Sequence, residues 1–281
     1  MGGEVHVHGS VRLFIALGWG RIVANGPGAK FVVDDTSAPV VKFQSILAFG
    51  APPVTAENRS STNTLVVESS DMTPLGTGQG DMFVTDCACR VELRSPGQSL
   101  WARQLNPEGV EDIGMVRNYG AKLWVMGVKH EGAGVRFLAD NGGETEIFGM
   151  FNYSTQVVNN DPRPMFQVDN SAFCAMGIRE ISFGNTYPVK MREVRNGQVR
   201  QVTGGGWTGW SLYSGWVPVE TNGQTAVSMP TIEPVGSAFL ESALLSLNTG
   251  SYTWVWPTNG NFQGSFINSL SLTGATTTAG A

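Results

Sequence analysis

The amino-acid sequence predicts an all-β protein: a single-stranded right-handed parallel β-helix, or solenoid, with an irregular C-terminal cap. Glycine makes up 36 of the 281 residues and charged residues only 15%, against roughly 7% glycine and 25% charge in an average soluble domain. Segments in the middle of the chain repeat every 23 residues, and no segment before residue 200 shows a sustained helical period. Short strands and turns that repeat in this way favour a solenoid.

A first set of repeats consists of three segments that align without gaps. They are LWARQLNPEG (100–109), LWVMGVKHEG (123–132) and EIFGMFNYST (146–155). In a parallel solenoid each coil lies about 4.8 Å from the next, so like residues stack on like. The alignment predicts that Trp101 stacks on Trp124, and that Asn106 stacks on Lys129 and Asn152.

A second set of repeats lies between these segments. IGMVRNYG (113–120) matches RFLADNGG (136–143) at the same interval, which would place Asn118 on Asn141. The motif returns after a longer interval at Asn170. Because parallel crossovers strongly prefer one hand, the predicted winding is right-handed.

The upstream part of the chain contains shorter β-prone runs that we interpret as irregular coils of the same type. They are KFVVD (30–34), VVKFQSI (40–46), TLVVE (64–68) and DMFVTD (81–86). These runs and the repeats together predict about six to eight coils, at residues 1–200. The solenoid therefore occupies most of the chain.

A change of composition near residue 200 predicts a different structure for the rest of the chain. Residues 201–270 are Gly- and Trp-rich and would form the C-terminal cap, since the open end of a solenoid must be covered. Within them, AFLESALLSL (238–247) is the one segment that favours a helix. Residues 271–281 are small and polar and are predicted to be a flexible tail.

Charge and targeting signals exclude several classes of function. The net charge is −5, from 18 basic and 23 acidic residues. No basic tract suits nucleic acid, and no apolar run approaches the roughly 20 residues of a membrane span. The first residues contain no signal peptide. Three cysteines are too few for a disulfide framework, so Cys87, Cys89 and Cys174 are interpreted as buried structural residues.

The central part of the chain resembles a known family. The two runs are GDMFVTDCACRVELRSPGQSLWARQLNPEG and GAKLWVMGVKHEGAGVRFLADNGGETEIFG. They resemble the C-terminal half of single-stranded right-handed β-helix proteins of the pectate lyase superfamily, close to the family-55 glycosidase type. Those proteins carry similar W-A-R-Q-L-N-x-E and G-x-L-W-x-x-G-x-K-x-E-G motifs. The resemblance covers about residues 11–155 and implies a polysaccharide partner and an extracellular or cell-surface location.

The chain departs from the family at its start. Such proteins open with an Asp-Phe-Gly-Ala segment and an Asp-Asp-Thr run that leads into a short helix. The first residues of this sequence, 1–9, do not resemble that opening segment. The run Asp34-Asp35-Thr36 is present, but it is not followed by a helix-like segment. The chain therefore resembles the later coils of a longer β-helix. Its first coil would offer unpaired strand edges, which predicts self-association through that coil.

The repeat also brings two carboxylates together and gives the leading candidate site. Glu108 would lie directly on Glu131, one coil apart, with Lys129 and His130 beside the pair and Asn106 nearby. Retaining glycosidases hold two carboxyl groups about 5–5.5 Å apart, and repulsion at that distance raises the pKa of one of them. The two glutamates are thus the candidate catalytic residues, and the candidate substrate-binding residues beside them are Lys129, His130 and Asn106. The alternative is that both glutamates end their strands as solvated or turn-capping residues.

The cap supplies further candidates for sugar binding. Trp207 and Trp210 could stack on pyranose rings, although packing inside the cap is the commoner use of tryptophan. The GGGWTG run at 204–209 matches a dinucleotide motif, but no helical pattern follows it, so no cofactor is expected.

Hypotheses that require a bound metal ion are not supported by the residues available as ligands. His6 and His8 would share one strand face without an evident third ligand, so no metal site is expected. Asp34 and Asp35 would face opposite sides of a strand, and no second acidic cluster lies one coil away. A calcium-assisted lyase is therefore disfavoured. A polygalacturonase-type site is disfavoured because His8-Gly9 lies upstream of Asp34-Asp35, the wrong order for such a site, and the chain contains no Arg-x-Lys motif.

Two functional hypotheses follow from these observations. The first is a carbohydrate-active β-helix protein that acts on or binds an extracellular polysaccharide, with a glycoside hydrolase as the favoured activity if it is an enzyme. The alternative is a non-catalytic structural or adhesive solenoid module, such as part of a surface fibre or a tailspike-like assembly. An outward-facing pair of glutamates beside aromatic residues would favour the first hypothesis, whereas inward or turn-capping glutamates would favour the second.

Overall fold

The structure of the chain is a computed structural model. It describes residues 3–18, 20–24, 26, 28–49, 54–158, 160–182, 184–203, 208–214, 241–247, 250–255 and 269–273. In chain order the strands are β1 (Glu4–Val7), β2 (Leu13–Ile15), β3 (Arg21–Val23), β4 (Lys30–Val33), β5 (Val40–Gln44), β6 (Leu47–Phe49), β7 (Thr55–Asn58), β8 (Thr64–Glu68), β9 (Thr73–Gly76), β10 (Met82–Cys87), β11 (Val91–Leu93), β12 (Ser99–Leu105), β13 (Glu108–Glu111), β14 (Val116–Tyr119), β15 (Lys122–Gly134), β16 (Phe137–Asp140), β17 (Glu144–Ser154), β18 (Phe166–Asp169), β19 (Ala172–Ser182), β20 (Val189–Arg195), β21 (Gln198–Thr203), β22 (Thr208–Ser214), β23 (Glu241–Leu247), β24 (Gly250–Val255) and β25 (Ser269–Thr273).

The described residues form an all-β structure without helices. Most strands belong to two long sheets between which the chain passes in turn, while β3 and β6 form a separate parallel pair and β23, β24 and β25 form a three-stranded sheet. The first sheet has the order β1-β4-β7-β9-β11-β14-β16-β18-β20-β21, and the second has the order β2-β5-β8-β10-β12-β15-β17-β19-β22 with β13 beside β15. Every pairing in them from β1 to β20 is parallel. Two parallel sheets built from alternate strands are compatible with the predicted solenoid.

The repeat length predicted for the second sheet is confirmed for one pair of coils and wrong for the next. Trp101 pairs with Trp124, as predicted. Trp124, however, pairs with Glu146, because the coil after residue 122 is one residue shorter. Asn152 therefore lies opposite His130 rather than in the column of Lys129. A slip of one residue exchanges the two faces of a strand.

The first sheet also corrects the second set of repeats. Val116 pairs with Phe137, so Asn118 lies opposite Ala139 and not Asn141. The longer interval predicted for the next coil is confirmed, since Phe137 pairs with Phe166. Val116, Phe137 and Phe166 are all fully buried. The register follows these apolar residues, whereas our alignment followed the Asn and Gly residues of the turns.

A column of residues in the left-handed backbone conformation bends seven consecutive coils of the second sheet, from β5 to β19, at the same place. Its members have φ between 47° and 80° and stack through seven coils: Ser45, Ser69, Asp86, Gln104, Gly127, Gly149 and Gly177. At this bend the alternation of side chains is reset. Before it Val125 is buried and Met126 exposed, whereas after it Val128 is buried and Lys129 half-exposed.

Buried asparagines close the corners between the sheets. The Asn118 Nδ2 atom donates to the carbonyl oxygens of Ala121 and Glu144, each at 2.9 Å, and its Oδ1 atom accepts from the Ala121 amide at 2.8 Å. Asn58 and Asn63 make similar bonds to corner carbonyls in earlier coils. These side chains satisfy backbone groups that no strand partner reaches.

Parallel pairing ends near residue 200. The strands β21 and β22 pair antiparallel with β20 and β19. The predicted helix at 238–247 is wrong, because Glu241–Leu247 is a strand that pairs antiparallel with β24. Sheet partners here override the local preference of the sequence. Most of the predicted cap (201–270) and the tail (271–281), apart from the described strands, lies outside the described residues.

At the other end, β1 and β2 each pair with one neighbour, β4 and β5. The first coil also exposes apolar side chains, with Leu13 at 49% and Ile15 at 48%. The predicted self-association through this coil stays a prediction.

The column of residues with positive φ provides a test of the fold. We expect Gly127→Ala to lower the free energy of unfolding by about 1–2 kcal/mol, because a Cβ atom is strained in the left-handed region. Gly184→Ala is the control, since the φ of Gly184 is not positive and a Cβ atom there meets nothing within 4 Å. Urea unfolding measures both variants, and equal stability of the two would contradict the assigned bend.

Candidate functional site

The two candidate glutamates lie one coil apart on the outside of the second sheet. The short strand β13 pairs with β15, and Glu108 is the Cα partner of Glu131, which confirms the predicted stacking. Their side chains are 47% and 39% exposed. Both are therefore accessible to a ligand.

A lysine lies between the two carboxylates. The Lys129 Nζ atom is 3.1 Å from Oε1 of Glu108 and 3.1 Å from Oε1 of Glu131, and Asn106 Nδ2 donates to Glu108 at 3.0 Å. Partial burial lowers the pKa of Lys129, but the hydrogen bonds to Glu108 and Glu131 outweigh it and the pKa is raised. The Lys129 ammonium thus offsets the repulsion between the two carboxylates. That repulsion was the reason to expect one of them to have a raised pKa and to act as a general acid.

Two aromatic residues complete this surface, and the sequence analysis missed both. Phe151 is the Cα partner of Lys129, and Tyr153 is the partner of Glu131. Their rings meet edge to face at 4.3 Å, and the Lys129 Nζ atom lies 5.6 Å from the centre of the Tyr153 ring. Their position in the sequence, one coil after Lys129 and Glu131, was the feature from which they could have been predicted. We call these six residues the outer-face cluster: Asn106, Glu108, Lys129, Glu131, Phe151 and Tyr153.

His130 does not belong to the outer-face cluster. It lies between Lys129 and Glu131 on a strand, so its side chain points inward and is fully buried. The Nδ1 atom lies 3.0 Å from the Pro107 carbonyl oxygen, which can only accept, so Nδ1 carries the hydrogen. Burial and the nearby Arg136 charge hold the pKa of His130 well below its ordinary value. His130 supports the cluster from beneath and does not reach a ligand on the outside.

A second exposed feature of the same sheet is a stack of three aromatic rings. Phe83 and Trp101 are 5.0 Å apart, and Trp101 and Trp124 are 5.2 Å apart, with interplanar angles of 16° and 11°. The rings cover one another's faces, so the stack presents their edges to the outside. This geometry stabilises adjacent coils and leaves few open faces for a sugar ring.

The remaining candidates lie elsewhere in the chain. Trp210 lies on β22 and pairs with Ile178, and Trp207 lies outside the described residues. His6 contacts Asp34 at 2.6 Å and Glu4 at 3.1 Å. Nowhere in the described part of the chain do three or more His, Cys, Asp or Glu side chains gather to hold a metal ion, and no helix there is long and apolar enough to cross a membrane.

The chain was compared with known protein families, curated proteins and solved structures. No protein-family description, no curated protein and no solved structure matches the chain. Membership of the pectate lyase superfamily therefore stays a proposal.

The burial of His130 predicts how stability depends on pH. The unfolded chain protonates His130 near pH 6.5, whereas the folded protein keeps it neutral, so the unfolded state binds more protons below that pH. The free energy of unfolding should then fall as the pH drops through about 6.5, by up to about 1.4 kcal/mol per pH unit from this group. We expect urea unfolding at about pH 7.5 and about pH 5.5 to show a smaller loss for His130→Gln than for wild type.

The control for this measurement is His8→Gln, because His8 is exposed. It should keep the pH dependence of the wild type. If His130→Gln also keeps it, the buried neutral histidine is not the source of the effect.

Proposed function

We propose that the chain is a carbohydrate-active β-helix protein that binds an extracellular polysaccharide through the outer-face cluster. One observation carries the proposal: Glu108 and Glu131 lie exposed one coil apart, share Lys129 and adjoin the Tyr153 ring. Such a surface combines hydrogen-bond acceptors, donors and an aromatic ring.

The chemistry of these groups suits a chain of sugars. Carboxylates accept hydrogen bonds from sugar hydroxyls, while the Lys129 ammonium and the Asn106 amide donate them. The Phe151 and Tyr153 rings add apolar contact area. Because the coils stack in register, the polar groups line up along the axis of the sheets, and an extended ligand would contact several coils at once.

The finer fold assignment is part of this proposal. We infer that the coils wind right-handed, because parallel crossovers almost always do. The two parallel sheets and the motifs in residues 80–109 and 120–149 support a place among pectate lyase-like β-helices. The proposed location outside the cell or at its surface is implied by the same resemblance.

A non-catalytic structural or adhesive module is the second candidate, and two observations favour it over a hydrolase. Lys129 lies between the two carboxylates, whereas a retaining glycosidase needs one of them as a proton donor. The aromatic stack of Phe83, Trp101 and Trp124 also covers the ring faces that a substrate groove would expose. Both features suit a rigid binding surface better than a reaction centre.

Binding can be tested with variants of the cluster. We expect Glu108→Gln, Glu131→Gln and Lys129→Met each to weaken binding about tenfold, because each removes a charge-assisted hydrogen bond. Affinity electrophoresis and calorimetry with β-glucans, pectins and alginate would measure it. Glu68→Gln is the matched control, since Glu68 pairs with Lys42 at 2.8 Å on the same sheet. Wild-type affinity in all three cluster variants would exclude this surface.

Catalysis can be tested with the same glycans. We expect wild-type protein to bind without releasing reducing ends or unsaturated products. Release of reducing ends that falls at least about 10²-fold in Glu108→Gln and Glu131→Gln would instead establish hydrolysis at this site. Neither binding nor turnover on any glycan would favour the structural module.

A further inference from the structure

A group of polar side chains lies inside the solenoid. Asn152, Ser154, Glu180 and Lys190 are each at most 5% exposed, and we call them the interior cluster. Buried ionisable groups are costly unless they are paired. Here the Lys190 ammonium and the Glu180 carboxylate pair with each other and are fully shielded from solvent.

Hydrogen bonds connect the four side chains in a continuous chain. Asn152 Nδ2 donates to Ser154 Oγ at 3.0 Å, and Ser154 Oγ donates to Glu180 Oε1 at 2.7 Å. Lys190 Nζ donates to the other carboxylate oxygen, Oε2. Glu180 and Ser154 together therefore link the amine of Lys190 to the amide of Asn152.

The fold fixes this arrangement. Asn152 and Glu180 are Cα partners on β17 and β19 in the second sheet, and Lys190 reaches the interior from β20 in the first sheet. The Asn152 Oδ1 atom is buried and has no hydrogen-bond partner among the described residues. The amide group can thus turn without breaking a bond at that oxygen.

We propose that the interior cluster forms an amide cross-link between Lys190 Nζ and Asn152 Cγ without the help of another protein. Lysine, asparagine and a carboxylic acid together supply a nucleophile, an electrophile and a proton carrier. The proposal concerns the interior and is independent of what the outer-face cluster binds.

The step balances within these residues. Glu180 Oε2 takes a proton from Lys190, and the neutral amine attacks Asn152 Cγ. A new N–C bond forms, and the C–Nδ2 bond breaks. Glu180 returns the proton through the Ser154 hydroxyl to Nδ2, which leaves as ammonia, and the Glu180 carboxylate then takes the second proton that the attacking Nζ atom must lose. The lysine ammonium, the carboxylate and one primary amide become one secondary amide, a protonated carboxyl group and ammonia, and no oxidant or cofactor is consumed.

The surroundings favour the reacting forms. Burial lowers the pKa of Lys190 despite the adjacent Glu180 carboxylate, which assists formation of the neutral amine. The interior also excludes water, which would compete for Cγ. Near the cluster, the Tyr187 backbone amide donates to Glu180, Arg136 lies over the Tyr187 ring, and His130 is the Cα partner of Asn152 with a pKa held well below its ordinary value. Reaction requires Nζ to come within about 3–3.5 Å of Cγ, and the hydrogen bonds through Glu180 and Ser154 hold both groups in the same interior cluster.

Intact mass under denaturing conditions tests the cross-link in the full-length protein. We expect wild type to be about 17 Da lighter than its sequence, the mass of ammonia, and digestion to yield a branched peptide that joins the segments around residues 152 and 190. Glu180→Gln and Lys190→Met should have the full sequence mass. Lys42→Met and Glu68→Gln, which remove the exposed Lys42–Glu68 pair, should keep the loss seen in wild type.

The wild-type mass alone decides the proposal, even if a buried variant fails to fold. A folded wild-type protein with its full sequence mass overturns it. A loss of about 18 Da, with a peptide that joins Lys190 to Glu180, would also overturn it, because the bond would then form with the carboxyl group and release water.

Discussion

The parallel stacking of coils in register is the constraint on which the rest of the structure depends. Each strand residue lies over a partner about one strand spacing away, so an arrangement that suits one coil must also suit its neighbours. The left-handed column that includes Gln104 and Gly127 shows how strict this is. The bend recurs at the same position in seven coils, although only three of its members are glycines and the others adopt an unfavourable backbone conformation.

This bend also decides which residues form the candidate site. Beyond Gly127 the alternation of side chains is reset, so Lys129 and Glu131 lie outside and His130 lies inside. Pairing with β13 then adds Glu108, and pairing with β17 adds Phe151 and Tyr153. The outer-face cluster therefore arises from three coils that are brought into register, and none of them contains it alone.

Much of this could be predicted from the sequence, but only where a repeat keeps its length. The stacking of Trp101 on Trp124 and of Glu108 on Glu131 followed from an interval that the structure keeps. The aromatic part of the site did not, because the next coil is one residue shorter and moves Tyr153 opposite Glu131. His130 was predicted wrongly for a different reason. Side chains alternate along a strand, so His130 points inward while its neighbours Lys129 and Glu131 point outward. The strand at Glu241–Leu247 was missed because its own residues, rich in Leu, Ala and Glu, favour a helix, whereas pairing with β24 holds it extended.

The same short segment of β17 serves both faces of the sheet. Phe151 and Tyr153 contribute to the outside, while Asn152 and Ser154 contribute to the interior cluster. Beneath the outer-face cluster the core is thus polar and hydrogen-bonded rather than purely apolar, which fixes side-chain positions by directional bonds. A ligand on the outside would meet a surface whose backbone is held in place from within. Because alternate residues face opposite sides, substitutions can change one face while leaving the side chains of the other in place.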